Sequence, residues 1–219
     1  MKGWKPGIDP ARLEAADASD ILSRVRRGES DVDGCAFADA DFAGMDFYGM
    51  AFTRCSFTRC RFTGAELGQC SFVDVVMESC DLSNTEIPES FWQRCILRGC
   101  RLVGARLDKA RLRQVELSGC AAMYAGFDQA GFDRVRLENC DFQSADLRAC
   151  KCRGLSLAGC RVLSVNLCQT ALAGVDFTAS DIGGWTLTEG APELRGAVVT
   201  PLQAVELAER LGLIVKTRD

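Results

Sequence analysis

The sequence predicts an all-β solenoid, and three observations predict it. An apolar residue falls on every fifth position from Phe37 to Leu187, thirty-one times without a break. The position two before it is mostly small, as at Cys35, Ala40, Cys55, Cys60 and Ala65. The positions between are largely polar or Gly. A period of five matches neither an amphipathic helix, at 3.6, nor a flat strand, at 2.0. It matches a chain that turns a corner every five residues, each side pointing one large and one small residue inward.

Composition narrows the function. With 47% apolar and 26% charged residues, the chain can bury a core and keep a soluble surface. Histidine is absent, which removes the commonest general acid–base and the commonest metal ligand. There is no phosphate-binding loop and no nucleophile–base pair, so a non-enzyme is expected, with no catalytic residues, no cofactor and no metal. A net charge of −4 and a pI near 5.1 argue against direct binding of nucleic acid. No apolar run is long enough to span a membrane, and the first residues lack the apolar stretch of a signal peptide. A cytoplasmic location without membrane contact is therefore expected.

The repeat resembles the pentapeptide-repeat family, whose A(D/N)LXX pattern stands here as Ala40-Asp41-Phe42-Ala43-Gly44, Ala145-Asp146-Leu147-Arg148-Ala149 and Val175-Asp176-Phe177-Thr178-Ala179. That resemblance implies a right-handed quadrilateral β-helix with four pentapeptides per coil. Residues 20 apart would then stack, giving nearly eight coils and a column about 38 Å tall. The chain divides into a helical N-terminal cap over 1–30, the β-helix over 31–190, and a C-terminal cap with a dimerisation helix over 191–219.

The coil period sorts the cysteines. Eleven of the thirteen take the small inward position, Cys152 is a centre, and Cys168 falls on the surface. Cys60, Cys80, Cys100, Cys120, Cys140 and Cys160 form one column. Parallel side chains in a ladder do not converge tetrahedrally on an ion, so these thiols are read as small buried hydrophobes.

The residue before each centre faces solvent. One side reads Asp41, Arg61, Asp81, Arg101, Ala121, Asp141, Arg161, Asp181, an alternating charge ladder. The next opens with three stacked acids, Asp46, Glu66 and Glu86, a candidate interaction strip. The repulsion between neighbours there is about 0.8 kcal/mol per pair in water. Residues 94–113 carry seven Lys or Arg and one Asp, so the middle of the column is basic. Ile87-Pro88-Glu89-Ser90-Phe91-Trp92 predicts a local kink or bulge, because Pro donates nothing to a ladder.

Both ends predict helices. Over 9–28, Asp9 is placed as N-cap and Pro10 at the first turn, with an apolar face from Leu13, Ala16, Ile21, Leu22 and Val25; Asp17, Ser19 and Asp20 are expected to split the segment. At the other end Leu194 and Val199 resume the five-step in a shifted register. Thr200 then caps, Pro201 starts and Gly212 ends a helix of about 11 residues, with a β-prone tail beyond. Leu194-x-Gly196, Gln203-Ala204, Leu207 and Glu209-Arg210-Leu211-Gly212 resemble the C-terminus of the Qnr-type group, which includes albicidin- and microcin-immunity proteins. The resemblance implies a homodimer joined end to end through this helix, with Leu202, Val205, Leu207, Leu211, Leu213 and Val215 as candidate interface residues. It also implies a partner, the bacterial type II topoisomerases DNA gyrase and topoisomerase IV, protected from an inhibitor or toxin by partial mimicry of DNA. The unbroken register leaves no room for the projecting loops of several members. The alternative is a repeat scaffold serving a different partner.

Overall fold

A computed structural model of the chain describes residues 5–9 and 12–216. It shows a four-sided β-solenoid. From residue 31 to residue 186 every backbone pairing is parallel and offset by 20 residues, as in Phe52 opposite Phe72 and Glu66 opposite Glu86. Up to residue 150 two sides of each coil form short strands; beyond it Arg161–Leu163 and Asp181–Gly183 are paired strands on a third side, and 171–180 are turns. In those earlier coils the remaining two sides are turns, in which the centre's carbonyl accepts the N–H of the residue three on, as Phe62 does from Ala65 at 2.9 Å. The residue two after the centre takes a positive φ at every corner from Asp39 to Gly174, +52° at Arg59 and +66° at Gly64. The ladder bonds above and below hold this otherwise unfavourable backbone in place.

The core is the stack of centres and small residues. Phe37, Phe42, Phe47, Phe52, Phe57 and Phe62 are at most 1% exposed. Rings stack between coils, with Phe52 over Phe72 at 5.3 Å and Phe72 over Trp92 at 4.0 Å, and meet edge-on within a coil, as Phe52 and Phe57 do at 5.7 Å. Each such centre contributes on the order of 1.5–3 kcal/mol through burial, and each ring pair about 0.5–1.5 kcal/mol more. The eleven small-position cysteines are buried, and ten of their thiols donate to the carbonyl of the centre one coil below, as Cys70 does to Phe47 at 3.0 Å; Cys35, in the first coil, donates to the Asp33 carbonyl. Thr85 makes the same bond to Phe62 at 2.9 Å.

The segment at Pro88 corrects the expected bulge. Phe91 pairs with Ser71 in strict register and its N–H donates to the Cys70 carbonyl at 2.9 Å. The reason lies in where Pro88 sits. On the turn sides, where Pro88 sits, the first residue after a centre does not use its N–H in the ladder; in other coils that N–H donates to the preceding carboxylate, as Tyr48 does to Asp46 at 2.9 Å. Proline therefore removes nothing there. Ser90 and Trp92 are buried, and the indole donates to the Ser90 hydroxyl at 2.9 Å.

The N-terminal cap also differs from its reading. Helix α1 runs Ala18–Arg26 and its N-cap is Asp17, not Asp9. Asp17 accepts from Ser19 and Asp20, and Asp20 accepts the Asp17 N–H in return at 2.8 Å. The residues expected to split the segment instead open the helix. Before it, the strand Glu14–Ala16 pairs with Cys35–Phe37 and covers the first coil. Ile21 is buried; Pro10 and the Leu22 side chain lie outside the described part.

At the C-terminal end two extra residues enter after Leu187, so Asp176 pairs with Val198 at an offset of 22. Helix α2, Pro201–Arg210, follows with a reciprocal cap between Thr200 and Gln203. It ends at Gly212, φ +83°, where Leu213 N–H reaches the Ala208 carbonyl at 3.0 Å. Residues 213–216 form no strand, so the β-prone tail is irregular.

The ladder opens once, although the five-residue register does not. The strands Lys151–Arg153 and Ser156–Ala158 pair only with the coil below. No backbone hydrogen bond among the described residues joins 150–158 to 170–178. The coils stay tied at both ends of this gap. At one end Ala149 N–H donates to Cys168 at 2.9 Å and Cys150 N–H to the Thr170 hydroxyl at 2.8 Å. At the other, Gly159 N–H reaches Ala179 at 2.7 Å, one residue beyond the usual partner. Leu147, Cys152, Leu155 and Leu157, inward residues by register, are half-buried rather than buried. Leu155 is one contributor: it puts a large side chain in a column otherwise held by Cys35, Cys55, Val75, Cys95, Val115, Val135 and Val175.

Candidate functional site

A convex column presents surfaces rather than a cleft, and three stand out. The first is the acidic strip. Asp46, Glu66 and Glu86 are exposed and stack in consecutive coils. Asp46 is partly structural, since one of its oxygens accepts the Tyr48 N–H. Glu86 has no such role, because Pro88 has no N–H to offer. Among the described residues, none of the three makes an ion pair. Arg106 stacks next above Glu86, yet its guanidinium turns to Asp108 at 2.7 Å and leaves the acids unneutralised. The Tyr48 side chain lies over Gly68, where an added Cβ would meet its ring at 3.1 Å, and forms an exposed aromatic edge beside the strip. At about 4.8 Å per carboxylate, the strip carries roughly 0.7 of the linear charge density of one DNA strand.

The alternating column next to it is self-satisfied in part. Arg61 pairs with Asp41, and Arg161 with Asp141 at 2.9 Å. These pairs are exposed and contribute little each.

The second surface is the C-terminal end. Gln203 donates its side-chain amide to the carbonyls of Phe177 at 3.0 Å and Ser180 at 2.8 Å, and so clamps α2 onto the last coil. Leu207 is 9% exposed and packs on the core. It therefore leaves the candidate interface: helical spacing puts it on the Gln203 side of α2. The other five predicted residues, Leu202, Val205, Leu211, Leu213 and Val215, are exposed, and Ile214 and Val198 join them. Sequence reasoning missed these last two, although Val198 follows directly from the shifted register.

The third surface, also missed, is a basic groove with Gly131 on its floor, lined by Lys109, Arg111, Arg148 and Lys151. Arg148 pairs with Asp128 at 2.8 Å; Arg111 and Lys151 make no ion pair among the described residues. The signal was the run of cations noted over 94–113, continued one and two coils on.

No cluster among the described residues is arranged to hold a metal ion, and no helix among them is long and apolar enough to cross a membrane. The fold and these surfaces define a β-solenoid of stacked five-residue sides. A family profile described as a pentapeptide repeat region matches residues 90–167, and one described as pentapeptide repeats matches 35–74 and 55–90. The chain belongs to the pentapeptide-repeat family. Among solved structures it is similar to HetL, involved in heterocyst differentiation regulation in the cyanobacterium Nostoc sp. strain PCC 7120. That match has 18% identity over 84% of this chain and 92% of that one, with a TM-score of 0.52. Full-length QnrB1, a plasmid-mediated fluoroquinolone resistance protein, matches at 20% identity over 91% and 95%, with a TM-score of 0.43. Rfr23 from the cyanobacterium Cyanothece 51142 matches at 13% over 83% and 99%, with a TM-score of 0.31. The likeness to HetL shows the shared fold; the other two add no functional weight. No curated protein matches the chain.

Proposed function

We propose that the protein is a non-enzymatic, cytoplasmic homodimer that binds a bacterial type II topoisomerase, DNA gyrase or topoisomerase IV, and shields it from an inhibitor or toxin by taking part of the place of DNA. The observation that carries this reading is the C-terminal end. Leu202 is 81% exposed on a helix clamped to the column by Gln203 and Leu207, and Ile214, in the tail just beyond it, is 89% exposed. A contiguous exposed apolar patch marks an association surface. Two copies meeting there form a rod of about 76 Å, from two columns of about eight strand spacings. The sequence of this end resembles the Qnr-type group, and the acidic strip supplies local mimicry.

Mimicry is local because global charge does not suffice. A duplex of that length carries about 45 charges, against −8 for two copies of this chain. The basic groove favours a second reading, a repeat scaffold with a different partner, since Lys109, Arg111 and Lys151 would be repelled by a surface built for DNA.

The test is supercoiling by gyrase and topoisomerase IV with the purified protein, alone and against a panel of inhibitors. Dose-dependent inhibition or rescue, weakened by Glu66→Lys with Glu86→Lys, is expected. No effect on either enzyme under any inhibitor would overturn the topoisomerase reading.

A further inference from the structure

We propose that the basic groove over Gly131 is a binding site for a small polyphosphate, two or three linked phosphates either free or on a hydrophilic carrier. Arg111, Gly131 and Lys151 stack in register in three consecutive coils. The two cations therefore stand two strand spacings apart, about 10 Å, with only a glycine between them. The neighbouring column shows what this arrangement lacks. There Arg113, Asp133 and Arg153 stack in the same way, and Asp133 reaches Arg113 at 3.5 Å. Where that column carries its own acid, the groove carries Gly131. A Cβ built on this glycine would meet no atom within 4 Å, so the space above it is open. An anion from outside takes the place that Asp133 fills next door.

Two more cations complete the site. Lys109 lies with Arg111 on the lower lip and Arg148 with Lys151 on the upper, and all four residues are exposed. Lys109 meets Glu89 only at 3.9 Å. Arg148 bonds Asp128 through Nε at 2.8 Å and keeps both terminal nitrogens free of hydrogen bonds among the described residues. Against four cations the lining presents one carboxylate, that of Asp128, and leaves three positive charges facing the space.

Charge, size and lining select the ligand. Three positive charges around a groove of about 720 Å³ match a compact, multiply charged anion. A phosphate brings more charge and more acceptor oxygens than a carboxylate, and the arginine fork meets those oxygens two at a time. Apart from Ala149 no apolar side chain lines the groove, so a base, ring or acyl chain gains nothing there. A long nucleic-acid strand is disfavoured by the acids that bound the patch, Glu89 beside Lys109 and Asp133 on the same strand as Gly131, and by the net charge of −4. The site uses neither the acidic strip nor the C-terminal end, so it stands whether or not a topoisomerase is the partner.

Calorimetric titration of the full-length protein at moderate salt tests it, with tripolyphosphate as the probe. Saturable one-to-one binding is expected, weaker for pyrophosphate, weaker again for inorganic phosphate, and reduced by added salt. A nucleoside triphosphate should match tripolyphosphate, since only its phosphates find partners. Gly131→Asp supplies the missing acid without a clash and should lower affinity about tenfold or more, as should Arg111→Ala with Lys151→Ala. Arg113→Ala with Arg153→Ala removes the same charge from the next column and should change it by no more than about threefold. All three variants alter surface positions and leave the core intact. No saturable binding of tripolyphosphate, no loss with Gly131→Asp, or equal losses in the two double variants would overturn the proposal. Citrate or a short oligothymidylate of equal charge binding as tightly, or a nucleoside triphosphate binding far more tightly, would also do so.

Discussion

Arg94 grips Asp74 one coil below it in a two-point pair, with nitrogen-to-oxygen distances of 2.7 and 2.5 Å, and Asp74 also accepts the Gly7 N–H at 2.8 Å. The pair binds two coils together and ties the N-terminal strap, residues 5–9, to the side of the column. Lys5, Pro6 and Ile8 lie along the same shallow groove as Val76 and Ile96. The Arg94 guanidinium, helped by the Gly7 amide, holds the Asp74 carboxyl below its usual range, against the opposing effect of its burial. A depressed folded-state value stabilises the protein above the unfolded carboxylate's range, near pH 4, and that contribution is lost as pH falls through the folded value. The strap should therefore detach in acid, below about pH 4, while the column persists. Limited proteolysis at 5–9 against pH checks this, and Asp74→Asn should free the strap at neutral pH at a cost of about 1 kcal/mol.

The C-terminal helix separates two kinds of leucine. Leu211→Asp or Leu202→Asp should halve the mass in light scattering with little change in melting temperature. Leu207→Asp should leave the helix undocked and cost about 2–4 kcal/mol, because it buries an unpaired charge against the last coil. An unchanged mass for both surface variants would show that this end is not the interface.

Trp92 and Ser90 should behave as a unit. Trp92→Ala removes the ring stacked on Phe72 at 4.0 Å and is expected to cost about 3–5 kcal/mol. Ser90→Ala keeps the ring but orphans its buried N–H, at about 1–3 kcal/mol. Denaturant unfolding of the double variant should show a loss smaller than the sum.

Thiol chemistry reports the opening in the ladder. Burial pushes the Cys55, Cys70 and Cys95 thiols up to about 12, so they remain protonated at pH 8. Cys152 and Cys168 are the half-buried pair. A thiol reagent at pH 8 should modify Cys168 first and Cys152 slowly, with Cys152 raised to about 11 by burial, and the other eleven only on unfolding.

Much of this molecule is readable one pentapeptide at a time. An apolar residue every five positions, a small one two before it and an Asp one before it determine which side chains go inward and which turn is capped, because each depends on contacts within one corner or with an identical corner one coil away. The same local logic marked Thr200, Pro201 and Gly212 as the limits of α2. Pro88 was misread because the five-residue pattern shows where proline sits but not which N–H groups the ladder uses. The tertiary structure alone decided that Asp74 holds the N-terminal strap, that Leu207 turns toward the column while Leu202 and Leu211 do not, and that the coils part above Lys151–Ala158. Those outcomes depend on competition between non-neighbouring groups. Leu155 in a narrow column, Cys152 in a wide one and two extra residues after Leu187 shift the balance between closing the ladder below and closing it above, and no single repeat contains all three.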